Sequence, residues 1–143
     1  VFEERLQNFA AQYPSKIAVR IGYDEQLSHL IEAGSDVFLM PSRFEPCGLN
    51  QMYSLKYGTI PIVRSTGGLA DTISEYKNGK GNGFVFEKYE PAELMKAIKR
   101  ALKLFQNREE WIKLIRIAMA CDYSWEVSCK KYVDLYKAIM KKN

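Results

Sequence analysis

The chain has a single histidine, His29, among its 143 residues, and that scarcity removes a large class of chemistry. No histidine acid/base pair can be assembled, and His29 shares a helical pattern with Leu30 and Ile31, so it reads as a packed or exposed polar residue. Cysteine is also sparse. Cys47, Cys121 and Cys129 form no C-x-x-C pair, have no histidine at ligand spacing and are odd in number. This points to a reduced, cytosolic setting and argues against a disulfide framework or a zinc site. With no Asp-x-Asp pair and no His/Glu cluster, neither a metal ion nor another cofactor is expected. No apolar run approaches the roughly 18 residues of a membrane span, and no charged-then-apolar leader opens the chain. Neither a membrane nor a nucleic acid is an expected partner. The net charge of +4 is mild, and the Lys and Arg are interleaved with Glu on helical patterns rather than gathered in a patch.

What is present is the composition of an ordinary globular domain, with a length sufficient for one core. The chain begins inside a helical pattern and reads as a piece of a longer polypeptide. Phe2, Leu6, Phe9 and Ala10 repeat at helical spacing up to Pro14-Ser15, and "KIAVRIG" follows as a short β-rich segment. "DEQLSHLIEA" is a helix with acids in its first turn and Gly34 as its stop. "DVFLM" and "GTIPIVRS" are continuous apolar runs of the kind found in covered parallel strands, although Pro61 suits an edge or a strand start. "GGLADTISEY" reads as a short helix, "KNGKGNG" as a turn and "FVFE" as another strand. From Pro91 onward only helices are expected, the first with a core stripe of Ala92, Leu94, Met95, Ile98, Ala101 and Leu102. The alternation predicts an α/β fold with a parallel, Rossmann-like sheet and a helical C-terminal segment. Four strands are few for such a sheet, and one or two more are expected before Val1.

The segment "SRFEPCGL", residues 42–49, lies where the "DVFLM" strand hands over to a helix. Ligands of open α/β sheets sit beyond such strand ends, where helix N-termini present free N–H groups. Gly48 permits close backbone approach, Pro46 fixes the turn, and Glu45 is an acceptor for hydroxyls beside an anion site. A sugar joined to a phosphate would satisfy both halves. The alternative makes Glu45 a solvated or capping acid and Cys47 a small filler. The second junction, "RSTGGLADT", favours a site, because two glycine-bearing turns in neighbouring units converge on one crevice. Cys47 lacks the base that a cysteine nucleophile needs, which excludes covalent catalysis by it.

The run "PSRFEPCGLNQMYSLKYGTIPIVRSTGGLADT", with "GYDEQLSH" before it and "DYSWEVSCKKYVDLY" after it, resembles the C-terminal nucleotide-sugar domain of bacterial glycogen synthases and plant starch synthases. The resemblance implies part of a twin-Rossmann (GT-B type) retaining glucosyltransferase, with residues 1–143 a partial C-terminal domain and the N-terminal domain absent. It implies ADP-glucose as donor, the non-reducing end of an α-1,4-glucan as acceptor, and a cytoplasmic location, or a plastid one in a plant. Glu45 would be the catalytic carboxylate that orients the donor glucose and stabilises positive character at the anomeric carbon. The amides of Cys47 and Gly48 would meet the sugar, and those of Leu49 and Asn50 the distal phosphate. Thr66, Gly67 and Gly68 would line the sugar-phosphate pocket. Tyr23 would be the platform for the adenine ring, or else an aromatic covering a sheet edge. Arg43 and Arg64 would lie near the diphosphate, or else serve the surface or pair with acids. Trp125 and the terminal helix would brace the partner domain.

Two departures limit the carry-over. Related transferases often have a second Glu eight positions after the first, to hold the ribose; here that position is Tyr53. The family's basic loop resembling R-L-x-x-Q-K-G and the K-x-G-G loop of the other domain do not occur here, so the isolated chain is expected to be catalytically silent. Two rivals stand beside this expectation: a twin-Rossmann hexosyltransferase using UDP-glucose, and a non-catalytic α/β interaction module.

Overall fold

The computed structural model describes residues 1–140. Its centre is a parallel sheet of three strands, β1 (Val37–Met40), β2 (Ile60–Arg64) and β3 (Phe84–Phe86), in the order β1-β2-β3. Ile60, Pro61, Ile62 and Val63 are all buried, so β2 is covered on both faces, which is why it reads as an unbroken apolar run.

Pro61 fits the central strand because of register. It stands opposite Phe38 of β1, whereas pairing with β3 begins one residue later, at Ile62 opposite Phe84. The missing N–H therefore falls at the strand's start, as expected of proline.

Seven helices frame the sheet among the described residues: α1 (Phe2–Gln12), α2 (Glu25–Ala33), α3 (Asn50–Tyr57), α4 (Gly67–Thr72), α5 (Pro91–Phe105), α6 (Arg108–Ala120) and α7 (Trp125–Met140). Asp24 caps α2 by accepting from the Leu27 amide at 3.0 Å, and Asn107 caps α6 through the Glu110 amide. The core joins Leu55 of α3, β2, Leu69, Phe84 and Phe86 to Ala97 and Ala101 of α5 and to Trp111, Leu114 and Ala118 of α6. Helix α3 packs on β1, β2, α2 and α6, which fixes its N-terminus against the carboxyl ends of the strands.

Three sequence expectations change. "KIAVRIG" forms no strand, since a strand needs a neighbour's hydrogen-bonding edge and no described residues pair with it. The helix expected over "GGLADTISEY" stops at Thr72, because Asn82 reaches into the following turn, donating to Thr72 O at 2.9 Å and accepting from Ser74 N at 2.8 Å. In α5 the buried positions are Ala97 and Ala101 with Leu94 and Ile98 half-buried, whereas Ala92, Met95 and Leu102 are exposed. Helices α1 and α7 bury no residue, and Trp125 is 81% exposed.

Candidate active site

Strands β1 and β2 are adjacent and parallel, so the turns that leave their carboxyl ends are neighbours. They touch directly. The Gly68 amide donates to the Glu45 carbonyl oxygen at 3.1 Å, tying the first residues of α4 to the turn ahead of α3. A Cβ on Gly67 would collide with the Glu45 carbonyl, and one on Gly68 with the backbone of Cys47. The glycine pair in "STGGL" is thus needed for one turn to lie on the other, and the Gly68 amide is already spent on Glu45.

The turn is gripped through its carbonyls. At one end Arg64 donates from Nε to Ser42 O at 2.8 Å and from a guanidinium nitrogen to Arg43 O, with its charge lying over the Tyr89 ring. That guanidinium holds backbone, which sequence reasoning did not foresee. At the other end the buried side chain of Gln51 donates from Nε2 to Cys47 O at 3.0 Å and to Gly48 O at 2.9 Å. Thr72 completes the link, lying 3.4 Å from Gln51 Nε2 and donating to Gly68 O at 2.6 Å. Gln51 was also missed. Its signal was in the pattern: Gln51, Ser54 and Leu55 share the i, i+3, i+4 stripe that α3 buries.

Helix α3 begins at Asn50, and the first amides bonded there are those of Met52 and Tyr53, both to Leu49 O. The amides of Asn50 and Gln51 precede them and are the free donors that open any α-helix. Gly48 has a left-handed φ of 74°, which makes the sharp entry into this helix. The Glu45 carboxylate is half-buried, and its nearest hydrogen-bonding neighbour is the Ser42 hydroxyl at 3.5 Å, so its oxygens are largely uncommitted.

A cleft of about 350 Å³ lies on the other side of the α3 N-terminus, lined by Tyr23, Asp24, Ser28, His29, Leu49, Asn50 and Tyr53 among others. The Tyr23 ring is 94% exposed there. The Tyr57 hydroxyl and His29 Nδ1 are 3.2 Å apart, and the His29 and Tyr53 ring centroids 5.1 Å apart. The sequence-designated residues therefore fall into two sets that meet at residues 48–50. Tyr23, Leu49 and Asn50 face the cleft; Glu45, Cys47, Gly48, Thr66, Gly67 and Gly68 form the interlocked turns. Among the described residues no group of three or more His, Cys, Asp or Glu side chains could hold a metal ion.

Residues 2–117 match the family model described as glycosyl transferases group 1. The chain belongs to that family. It is 52% identical over 139 residues to the glycogen synthase of Anaeromyxobacter dehalogenans, covering 96% of this chain and 29% of that protein. The catalytic domain of starch synthase IV from Arabidopsis thaliana, solved with ADP and acarbose bound, superposes with a TM-score of 0.81 at 38% identity, over 94% of this chain and 29% of that one. Sucrose-phosphate synthase from Thermosynechococcus elongatus shares the fold, with a TM-score of 0.65 at 20% identity over 98% of this chain and 35% of that one. The chain thus spans under a third of the glycogen synthase it matches, and its parallel α/β sheet is part of a GT-B glycosyltransferase catalytic domain.

Proposed function

We propose that the full-length protein is a retaining glucosyltransferase that moves glucose from ADP-glucose to the non-reducing end of an α-1,4-glucan. Residues 1–143 supply the donor side of the cleft, as part of a C-terminal nucleotide-sugar domain. The observation that carries this reading is the interlock of the two turns, the first of which bears an uncommitted carboxylate and runs directly into a helix start with free amides. The similarity to a starch synthase solved with ADP supports the donor class.

In this reading the Gly48 amide meets the sugar, and the amides of Leu49 and Asn50 take the distal phosphate and stabilise the charge that grows on the leaving ADP. Glu45 grips glucose hydroxyls and offsets positive character at the anomeric carbon. Cys47, Thr66, Gly67 and Gly68 shape the wall behind the sugar. Tyr23 lies under the adenine ring, its flat face open at the mouth of the cleft. The exposed apolar side chains of α7, from Trp125 onward, brace the other domain. The 143-residue chain alone is catalytically silent, because the residues that grip the acceptor and the cations that meet the diphosphate come from elsewhere in the polypeptide. The protein works in the cytoplasm, or in a plastid if its source is a plant.

The test is glucosyl incorporation into glycogen by the full-length protein, with ADP-glucose and UDP-glucose compared. Transfer from ADP-glucose is expected to dominate. Preference for UDP-glucose would reassign the donor, and turnover by residues 1–143 alone would overturn the silence of the fragment.

A further inference from the structure

Resting on the nucleotide-sugar reading above, we propose that Gln51 is a positioning residue: by holding the Cys47 and Gly48 carbonyls inward, it turns the Gly48 amide hydrogen toward the donor's sugar and the Leu49 amide hydrogen toward its distal phosphate. The reasoning starts from the peptide unit. In a trans, planar peptide the C=O and N–H point in opposite directions. The Cys47 carbonyl shares its peptide with the Gly48 N–H, and the Gly48 carbonyl with the Leu49 N–H. Gln51 is fully buried and grips both carbonyls from within, at 3.0 and 2.9 Å. Both amide hydrogens are therefore presented on the opposite, outer side.

Three further observations show that Gln51 is there for its N–H donors. The amide cannot be reversed end for end, since that would set its oxygen against two carbonyl oxygens. Its own Oε1 is buried without a hydrogen bond among the described residues, a cost that an apolar side chain of equal length would not carry. And Gly48 is shaped to it: a Cβ there would fall 2.5 Å from Gln51 Oε1, on a backbone already at a φ of 74°. Thr72 Oγ1, 3.4 Å from Gln51 Nε2, donates to Gly68 O, so the Gln51 amide also packs against the second turn.

The experiment uses the full-length protein with ADP-glucose and glycogen. Gln51→Met keeps the length and fills the space but donates nothing. Its kcat should fall about 10²-fold, because small misplacement of preorganised donors is costly, with a KM for the donor only several-fold higher, since the amides gain most as charge grows on the leaving group. Thr59→Val is the control for stability. It deletes a buried hydroxyl whose single hydrogen is shared between Glu32 O and Ser35 O beyond the far end of α3, and should lower the melting temperature comparably while leaving kcat within about twofold. Gln51→Glu tests the donor role directly. Its neutral carboxyl keeps one O–H donor, so it should retain more activity than Gln51→Met and lose that advantage as rising pH ionises it. A wild-type rate in Gln51→Met, or an equal loss in Thr59→Val, would overturn the inference while leaving the transferase reading intact. Failure of the unaltered full-length protein to transfer glucose would overturn both.

Discussion

The Gly68 amide donates to the Glu45 carbonyl oxygen, 3.1 Å away, across two turns that are 23 residues apart in the chain. This one bond makes the carboxylate-bearing turn and the glycine-pair turn a single unit. Neither can shift without the other, so the position of Glu45 is set partly by a turn 23 residues further along the chain.

Gly68→Ala should therefore damage both stability and turnover. The new Cβ meets the Cys47 backbone, which cannot swing aside as a long side chain would, and overpacking of this kind costs roughly 1–3 kcal/mol. Gly79→Ala is the contrast. Gly79 has a left-handed φ of 75° but open space around it, so it carries only the conformational cost of about 1–2 kcal/mol and should leave turnover alone. Urea unfolding and a glucosyl-transfer assay on both variants separate the two effects.

Glu45→Ala should reduce turnover without unfolding the protein. Its carboxylate makes only the 3.5 Å contact to Ser42, so little folding energy is lost, whereas loss of an electrostatic stabiliser in a preorganised site typically costs about 10²–10³ in kcat. Turnover and thermal melting measured together check it: an unchanged rate would remove Glu45 from the site.

Strand β2 was legible because "TIPIV" is buried on both faces and has no polar side to show, whereas "DVFLM", read as a covered strand, lies at the end of the sheet among the described residues with Leu39 exposed. "KIAVRIG" reads as β-rich but pairs with no strand among the described residues, because pairing depends on a partner edge that local sequence does not contain. The clamps were hidden for a related reason. Arg64 reads as a residue near the diphosphate, on the surface or paired with an acid, until β1 and β2 lie side by side and bring the Ser42 and Arg43 carbonyls to it. Gln51 reads as an ordinary polar helix residue until the Gly48 turn folds back over it. For the glycine pair the sequence offers only a pocket lining, and the close packing of Gly67 and Gly68 against Glu45 and Cys47, which demands their lack of side chains, shows only in the fold.

Tyr23→Ala should leave stability untouched, since a ring 94% exposed contributes little to the core. If the ring carries the adenine, the donor's KM should rise about tenfold or more, in line with the roughly 1–3 kcal/mol that base–aromatic stacking contributes. Since stacking is the same in ground and transition states, kcat should change less than KM. A donor titration with ADP-glucose reads both.

Glu32 supplies a prediction on pH. Its side chain is buried, one carboxylate oxygen has no hydrogen bond among the described residues, and burial pushes its pKa above the ordinary carboxylate value, with nearby His29 pulling the other way to a lesser extent. A raised folded-state pKa means that the folded chain holds this proton more tightly than the unfolded chain. The sign follows: stability contributed by the neutral acid is present below the unfolded pKa and is lost as pH rises through the folded one. Glu32→Gln removes the charge and with it this loss. The variant should therefore melt higher than the parent protein near neutral pH, with the gain shrinking as pH is lowered toward the ordinary carboxylate pKa. Thermal melting at a series of pH values checks it, and a gain that grows on acidification would show that the carboxylate is stabilised in the fold rather than strained by it.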